Sequence, residues 1–450
     1  MQAQVVHKHV IVGLGLTGLS CARHLRRRQL PFSAMDTRAK PPGIDAFRVE
    51  FPEVELTLGG LDAERLAAAD VLVLSPGVDP RLPEIRAALA KGVRSTGDID
   101  LFAREIQRPI VAITGSNAKS TVTTLVGEMA RAAGIRVEVA GNIGTPVLDL
   151  LAMDAAELYV LELSSFQLET TTTLGAAVAT VLNLSEDHMD RYDSMQDYLA
   201  AKQRVFQGCR KAVVNRDDAA SVPPVSMMDG IETFSFGLGS SDESNAFVVL
   251  SHKGRDWLGC GKQPLLAVDE LRIAGQHNVS NALAALALGH ALGLAWEPML
   301  ATLRSFKGLK HRCQWVANLK QVSWYNDSKG TNVGATVAAI AGLSRQGKVI
   351  LLAGGVGKGA DFSELAPAMA ANGRSAILFG QDADRIADVL QPVVPVARAR
   401  SLQHAVQMAH ELAVAGDVVL LSPACASFDM FRNYEHRGDA FVQAVQELPA

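Results

Sequence analysis

An α/β fold in three consecutive domains is predicted by three observations. Short apolar runs bounded by glycine or proline alternate with longer amphipathic stretches almost from end to end, the pattern of repeated βα units. Glycine-rich or polar loops follow several of these runs, at the strand ends where open α/β sheets bind ligands. With 450 residues, the chain is also long enough for two to four domains with sizeable cores.

The first domain, 1–97, opens with a short buried strand at 10–12 and a helix at 16–28. Further strands are expected at 32–35 and 71–74, the latter ending in Ser75-Pro76-Gly77. The pattern loosens over 92–110, where a boundary is placed. A central domain, 98–308, starts with a strand at 110–113 and continues through 158–161, 177–182 and 212–215. Residues 221–267 carry short alternating runs and turns, expected as a small β-rich portion, and 278–292 is a strong helix pattern. After a second boundary near 305–309, the C-terminal domain, 309–450, has strands at 349–353, 376–379 and 418–421.

Composition narrows the class of function. Hydrophobic residues make up 48% and charged residues 20%, as in ordinary globular proteins. There are 43 basic and 47 acidic residues, a net charge of −4, and no basic stripe, which argues against a nucleic-acid partner. Five scattered cysteines without a CxxC pair read as reduced thiols. The N-terminus runs straight into a strand-and-glycine pattern without a signal-peptide core, and no apolar run is long enough to span a bilayer. A cytoplasmic protein without a membrane partner is expected.

Three constellations carry chemistry. In the first, Gly13-Leu14-Gly15-Leu16-Thr17-Gly18 lies between a strand and a helix, with Asp36 ending the next strand. Glycines there permit a tight turn, and the helix N-terminus offers free N–H groups to a diphosphate. This predicts a Rossmann-like domain for a nucleotide diphosphate, and taken alone would suggest a nicotinamide-dependent dehydrogenase.

The second constellation redirects that reading. Thr114-Gly115-Ser116-Asn117-Ala118-Lys119-Ser120-Thr121 follows a strand and opens a helix, like the phosphate-binding loop of a P-loop-type ATPase. Lys119 would neutralise phosphate charge and the Ser120 hydroxyl would bind Mg²⁺. The usual glycine before the lysine is replaced by Ala118, which is expected to avoid positive φ. Glu162 ends a neighbouring strand, where an ATPase places its metal ligand, and His188 follows another strand toward the same crevice. The third constellation is a set of loops after strands in the last third: 326–332 (NDSKGTN), 354–361 (GGVGKGAD) and 422–427 (SPACAS).

Together these motifs resemble the Mur ligase family over essentially the full length. The resemblance extends to GNIG at 141–144, LELSSFQLE at 161–169, EDHMDRY at 186–192, GQHNVSNALAA at 275–285 and His311-Arg312. Asp36-Thr37-Arg38 and the segment 427–434 favour the member that adds D-glutamate to UDP-N-acetylmuramoyl-L-alanine; a sibling adding another amino acid is the nearest alternative.

The resemblance implies an ATP-dependent ligase of peptidoglycan precursor synthesis. It would work through an acyl phosphate with two Mg²⁺ ions and be a monomer with small-molecule substrates. Leu16, Thr17, Asp36, Thr37, Arg38, Ser75 and Gly77 would hold the UDP group, with Asn142, Ser164 and His188 on the rest of that substrate. Asn278, Asn281, Arg312 and Asp327 would join the loop residues on ATP. Thr331, Lys358, Ser427, Phe428 and Tyr434 would receive D-glutamate, although the family often has phenylalanine at the last position. Lys202 would be carbamylated. An ammonium would repel Mg²⁺, whereas a carbamate turns +1 into −1 and offers hard oxygen ligands. Ser120, Glu162, His188 and Lys202 would then hold the two ions.

Overall fold

The computed structural model of the chain describes residues 8–153, 156–227, 229–273, 275–344 and 346–449. Its strands form three sheets that follow one another along the sequence.

The first contains β1 (His9–Val12), β2 (Phe32–Asp36), β3 (Leu56–Leu58), β4 (Val71–Leu74) and β5 (Arg94–Thr96) in the order β3-β2-β1-β4-β5. All neighbours are parallel. The order reverses between β1 and β4, which opens a crevice beyond their carboxyl ends. Segment 92–110, expected as a loosened boundary, instead holds β5 and the helix Asp98–Glu105. That helix buries Asp98 and Asp100 among Ile99, Leu101 and Phe102. Asp100 accepts hydrogen bonds at 2.8 Å from the backbone N–H groups of Thr172 and Thr173, so its carboxylate is satisfied in the interior. Inward-facing acids made a packed helix look like a polar linker.

The second sheet contains β6 (Ile110–Thr114), β7 (Val137–Gly141), β8 (Leu158–Glu162), β9 (Val178–Val181), β10 (Lys211–Asn215), β11 (Glu232–Phe236), β12 (Ala246–His252), β13 (Arg255–Cys260) and β14 (Gln263–Ala267). Its order is β14-β13-β12-β11-β10-β9-β6-β8-β7. Every residue of β6 and β8 is buried, as expected of central parallel strands covered on both faces. The β-rich stretch 221–267 extends this sheet rather than standing apart. β11 pairs parallel with β10 and β12, and β12, β13 and β14 continue as antiparallel neighbours.

The third sheet contains β15 (Gln314–Leu319), β16 (Val322–Asn326), β17 (Val349–Ala353), β18 (Gly373–Leu378), β19 (Val396–Arg398) and β20 (Val418–Leu421), ordered β15-β16-β20-β17-β18-β19. Only the β15–β16 hairpin is antiparallel. One cluster of buried side chains runs from Ile11 and Phe47 through Phe102 to Leu161 and Val214, so the first two sheets share a core. The third packs its own, around Leu351 and Leu420 on one face and Trp324 and Phe441 on the other. Among the described residues no helix is long and apolar enough to cross a membrane, and all five cysteines are free.

Candidate active site

The phosphate-type loop leaves β6 and enters the helix Lys119–Ala132. Gly115 has φ +149°, and a Cβ there would come within 3.1 Å of Leu182 Cβ and 3.2 Å of Leu182 N, so the loop is tight against the turn after β9. Asn117 N donates to Asn183 Oδ1 at 2.8 Å, and Ser116 Oγ donates to Ser185 O at 2.9 Å. Ala118 adopts φ +65°, ψ −7°, against the expectation that it would avoid this region. The left-handed conformation costs an L-residue roughly 1–2 kcal/mol, a strain that the surrounding hydrogen bonds over-determine.

Two lysines, Lys119 partly buried and Lys202 fully so, converge on this loop. Lys119 Nζ donates to Gly115 O at 2.8 Å and Ser116 O at 2.9 Å, and Lys202 Nζ donates to the same Gly115 O at 2.9 Å. Burial lowers both amines' pKa, and the Lys119 charge further lowers that of Lys202, which is 1% exposed and falls well below the ordinary value. Two cations crowding one carbonyl is a poor resting arrangement, and a neutral amine at Lys202 is the form open to carbamylation.

Glu162 ends β8, beside β6, and is 2% exposed. Its Oε1 accepts from Asn142 Nδ2 at 2.9 Å, while its Oε2 is buried without a hydrogen-bond partner among the described residues. An orphaned carboxylate oxygen is costly unless a cation completes it. His188, at φ +60°, has its pKa lowered to about 4 by burial, so its imidazole is neutral and has a lone pair to give. These residues fit Mg²⁺. Among the described residues no group of three or more His, Cys, Asp or Glu is placed to hold a metal.

Two cavities meet at the loop. One, of about 500 Å³, is lined by Asn117, Ala118 and Thr121 from the loop side, and by Asn278, Asn281, Arg312 and Asp327. The other, of about 570 Å³, brings Ser116, Lys119, Asn142, Glu162, Ser164, His188 and Lys202 together with Thr331, Lys358, Ser427, Phe428 and Tyr434. Residues expected at ATP and at the amino acid are thus gathered from distant parts of the chain. Arg312 Nη2 donates to Ser120 Oγ at 2.6 Å. Burial raises the Asp327 pKa to about 6, and its Oδ2 accepts from Ser422 Oγ at 2.7 Å.

The residues expected at UDP gather instead at the crevice of the first sheet and do not line either cavity. Ser75 Oγ donates to Gly13 O at 2.8 Å, and Gly18 has no room for a side chain, since a Cβ would sit 2.0 Å from Gly13 O. Leu16 projects outward, 77% exposed, from the start of its helix, beside Thr17. Asp36 is tied within the protein: its carboxylate accepts from Leu14 N at 2.7 Å and from the Arg38 side chain at 2.8 and 2.9 Å. It therefore shapes the loop and orients Arg38. Thr37 and Gly77 flank the same crevice on β2 and β4's outgoing turns.

Several residues of the site carried no individual signal in the sequence. Asp187 accepts from Lys358 Nζ at 2.5 Å and from Asn332 Nδ2 at 3.4 Å. Asn332 and Asn117 exchange amide hydrogen bonds of 3.1 and 3.3 Å. Lys329 lies 3.9 Å from the Tyr434 ring centroid and lines both cavities; burial and the nearby Arg312 bring its pKa down to about 8. Arg437, fully buried, donates to Ser328 O at 2.9 Å and Cys425 O at 3.1 Å, joining two of the loops.

A polyphosphate loop opening onto a second cavity furnished with cations for carboxylates is the arrangement of an ATP-dependent acid–amine ligase. Comparison with known proteins narrows it: residues 7–97 match the MurD-like N-terminal domain, 113–289 the Mur ligase middle domain and 311–425 the Mur ligase glutamate ligase domain. The chain belongs to the Mur ligase family.

It is 57% identical to a UDP-N-acetylmuramoylalanine–D-glutamate ligase of Pseudomonas aeruginosa over 444 residues, covering 98% of both chains. It is 53% identical to the protein of that name from Hahella chejuensis over 440 residues, covering 97% of this chain and 98% of that one. Among solved structures, the UDP-N-acetylmuramate-alanine ligase of Thermotoga maritima matches with a TM-score of 0.59 at 16% identity, covering 98% of this chain and 99% of the other. At that identity the likeness speaks for the fold.

Proposed function

We propose that this chain joins D-glutamate to UDP-N-acetylmuramoyl-L-alanine in peptidoglycan precursor synthesis, releasing ADP and phosphate. The observation that carries the reading is the single cavity lined by Lys119 and Glu162 on one side and by Lys358, Ser427 and Tyr434 on the other. Phosphoryl transfer and amine attack need to share such a space.

A carboxylate is a poor acceptor for an amine because oxide is a bad leaving group. The substrate's carboxylate oxygen attacks the γ-phosphorus of ATP, and the bond to ADP breaks. The D-glutamate amine then attacks the acyl carbon, and phosphate departs as the amide forms. Two anions must approach in the first step, so positive charge is needed between them. Lys119 turns from its loop carbonyls to the phosphates, and Arg312 leaves Ser120 to join it. Ser120 and Glu162 would hold one Mg²⁺, His188 and carbamylated Lys202 a second; bound there, the ions supply further positive charge against phosphate and acyl oxygens.

Asn278 and Asn281 take the base end of ATP, with Asp327 at the ribose. Lys358 receives a carboxylate of D-glutamate once Asp187 releases it, with Thr331, Ser427, Phe428 and Tyr434 completing that subsite. Leu16, Thr17, Asp36, Thr37, Arg38, Ser75 and Gly77 form the UDP subsite, and Asn142 and Ser164 guide the rest of that substrate toward Lys119. Closure of the last domain on the other two excludes water from the acyl phosphate. All assigned residues lie in one chain, so a monomer suffices, and the need for ATP places the reaction in the cytoplasm.

A phosphate-release assay with UDP-N-acetylmuramoyl-L-alanine, ATP and a panel of amino acids of both hands tests the reading. Release is expected with D-glutamate; release with another amino acid and not with D-glutamate would assign the chain to a sibling reaction.

A further inference from the structure

The first cavity has an aromatic wall to which no role has been assigned. Trp315 lines it and is 57% exposed. The other three tryptophans each pack against a ring: Trp257 against His252, Trp296 against His290 and Trp324 against Phe441. Trp315 has no such partner among the described residues. Leaving a large indole in water forfeits its burial energy, unless the face is kept for something that arrives later.

The backbone aims this ring deliberately. In the β15–β16 hairpin Ala317 pairs with Trp324, whereas Trp315 pairs with Tyr325, because the register slips at Val316. Without that bulge Trp315 would fall opposite Asn326 and share the face of Trp324, which is wholly buried under the sheet. The extra residue moves it to the face of Tyr325, which also lines the cavity. Position along the cavity follows from chain length. Arg312 touches Ser120 at the phosphate loop, and Trp315 is three residues further, at most about 10 Å of extended backbone. That is the scale separating a nucleotide's phosphates from its base.

We infer that Trp315 is a base-contacting residue, whose indole stacks on the purine of the nucleotide while Arg312 engages the phosphates. This rests on the reading of the first cavity as the ATP site. The ring of Trp315 gives sequence-tolerant stacking, and Asn278 and Asn281 supply the polar contacts that discriminate adenine.

Titration of the full-length enzyme with ADP, and separately with inorganic tripolyphosphate, tests this by calorimetry and intrinsic fluorescence. ADP is expected to change the tryptophan emission of the wild type. In Trp315→Leu that change disappears and ADP affinity falls roughly tenfold. Tripolyphosphate affinity stays the same, and Trp315→Phe recovers most of the ADP affinity. Equal ADP affinity in Trp315→Leu and wild type would overturn the inference, as would a loss that weakens tripolyphosphate just as much. Failure of the wild type to bind ADP at all would instead remove the ATP-site reading, and this inference with it.

Discussion

Arg312 and Ser120, 192 residues apart, are joined by a 2.6 Å hydrogen bond from guanidinium to hydroxyl. The hydroxyl proposed for Mg²⁺ is therefore held by the arginine proposed for phosphate, and both must exchange partners when nucleotide arrives. Arg312→Ala should raise the KM for ATP about tenfold or more while leaving the affinity for the UDP substrate unchanged, since charge-assisted hydrogen bonds contribute roughly 1.5–3 kcal/mol. Steady-state kinetics with each substrate varied in turn would check this.

Lys119 is proposed to supply charge where two anions meet. Lys119→Ala should lower kcat by about 10²–10³-fold, the usual cost of one preorganised electrostatic donor, with UDP-substrate binding retained. Calorimetry with the UDP substrate beside a phosphate-release assay separates the two effects.

Lys202 is buried against Gly115 O with a strongly lowered pKa. Lys202→Ala should lose most activity but keep UDP-substrate affinity. A carbamate carbon signal should appear in the wild type, and not in the variant, after exchange with ¹³C-bicarbonate. Full activity in Lys202→Ala would remove the carbamate from the mechanism.

Ala118 sits at φ +65° in the phosphate loop. Ala118→Gly removes the Cβ that makes this conformation unfavourable, and should stabilise the central domain by about 1 kcal/mol, seen as a rise in Tm of roughly 2 °C. Little change in the affinity for ADP is expected, because the backbone N–H groups keep their directions.

His277 has a buried Nδ1 with no hydrogen-bond partner among the described residues, and a pKa lowered from 6.5 to about 4 by burial. Between those values the unfolded chain takes up a proton that the folded one refuses, so its stabilising contribution is full above pH 6.5 and is lost as pH falls toward 4. Asp98 and Asp327, raised to about 6, act in the opposite sense. The difference between wild-type and His277→Gln melting curves from pH 7 to 4.5 isolates the histidine, and the variant should lose less stability on acidification.

Much of this architecture was legible because it depends on local patterns. Buried parallel strands such as 71–74 and 349–353 are unbroken apolar runs, and the loops that follow them advertise themselves with glycine and lysine. Three kinds of feature were not legible. The helix Asp98–Glu105 hid behind acids whose partners, Thr172 and Thr173, lie about seventy residues away. The conformation of Ala118 is imposed by its neighbours against its own preference. Asp187 and Trp315 owe their places to contacts and a strand bulge that no run of residues announces.

The core shared by the first two sheets, beside the separate one of the third, gives this enzyme a natural seam. A chain severed near residue 309 leaves each piece with its apolar interior whole, whereas a cut near 98 strips Phe102 and its companions of their covering. For anyone building chimaeras between siblings, the exchangeable cassette is the C-terminal part, proposed to select the amino acid, grafted onto an undivided front.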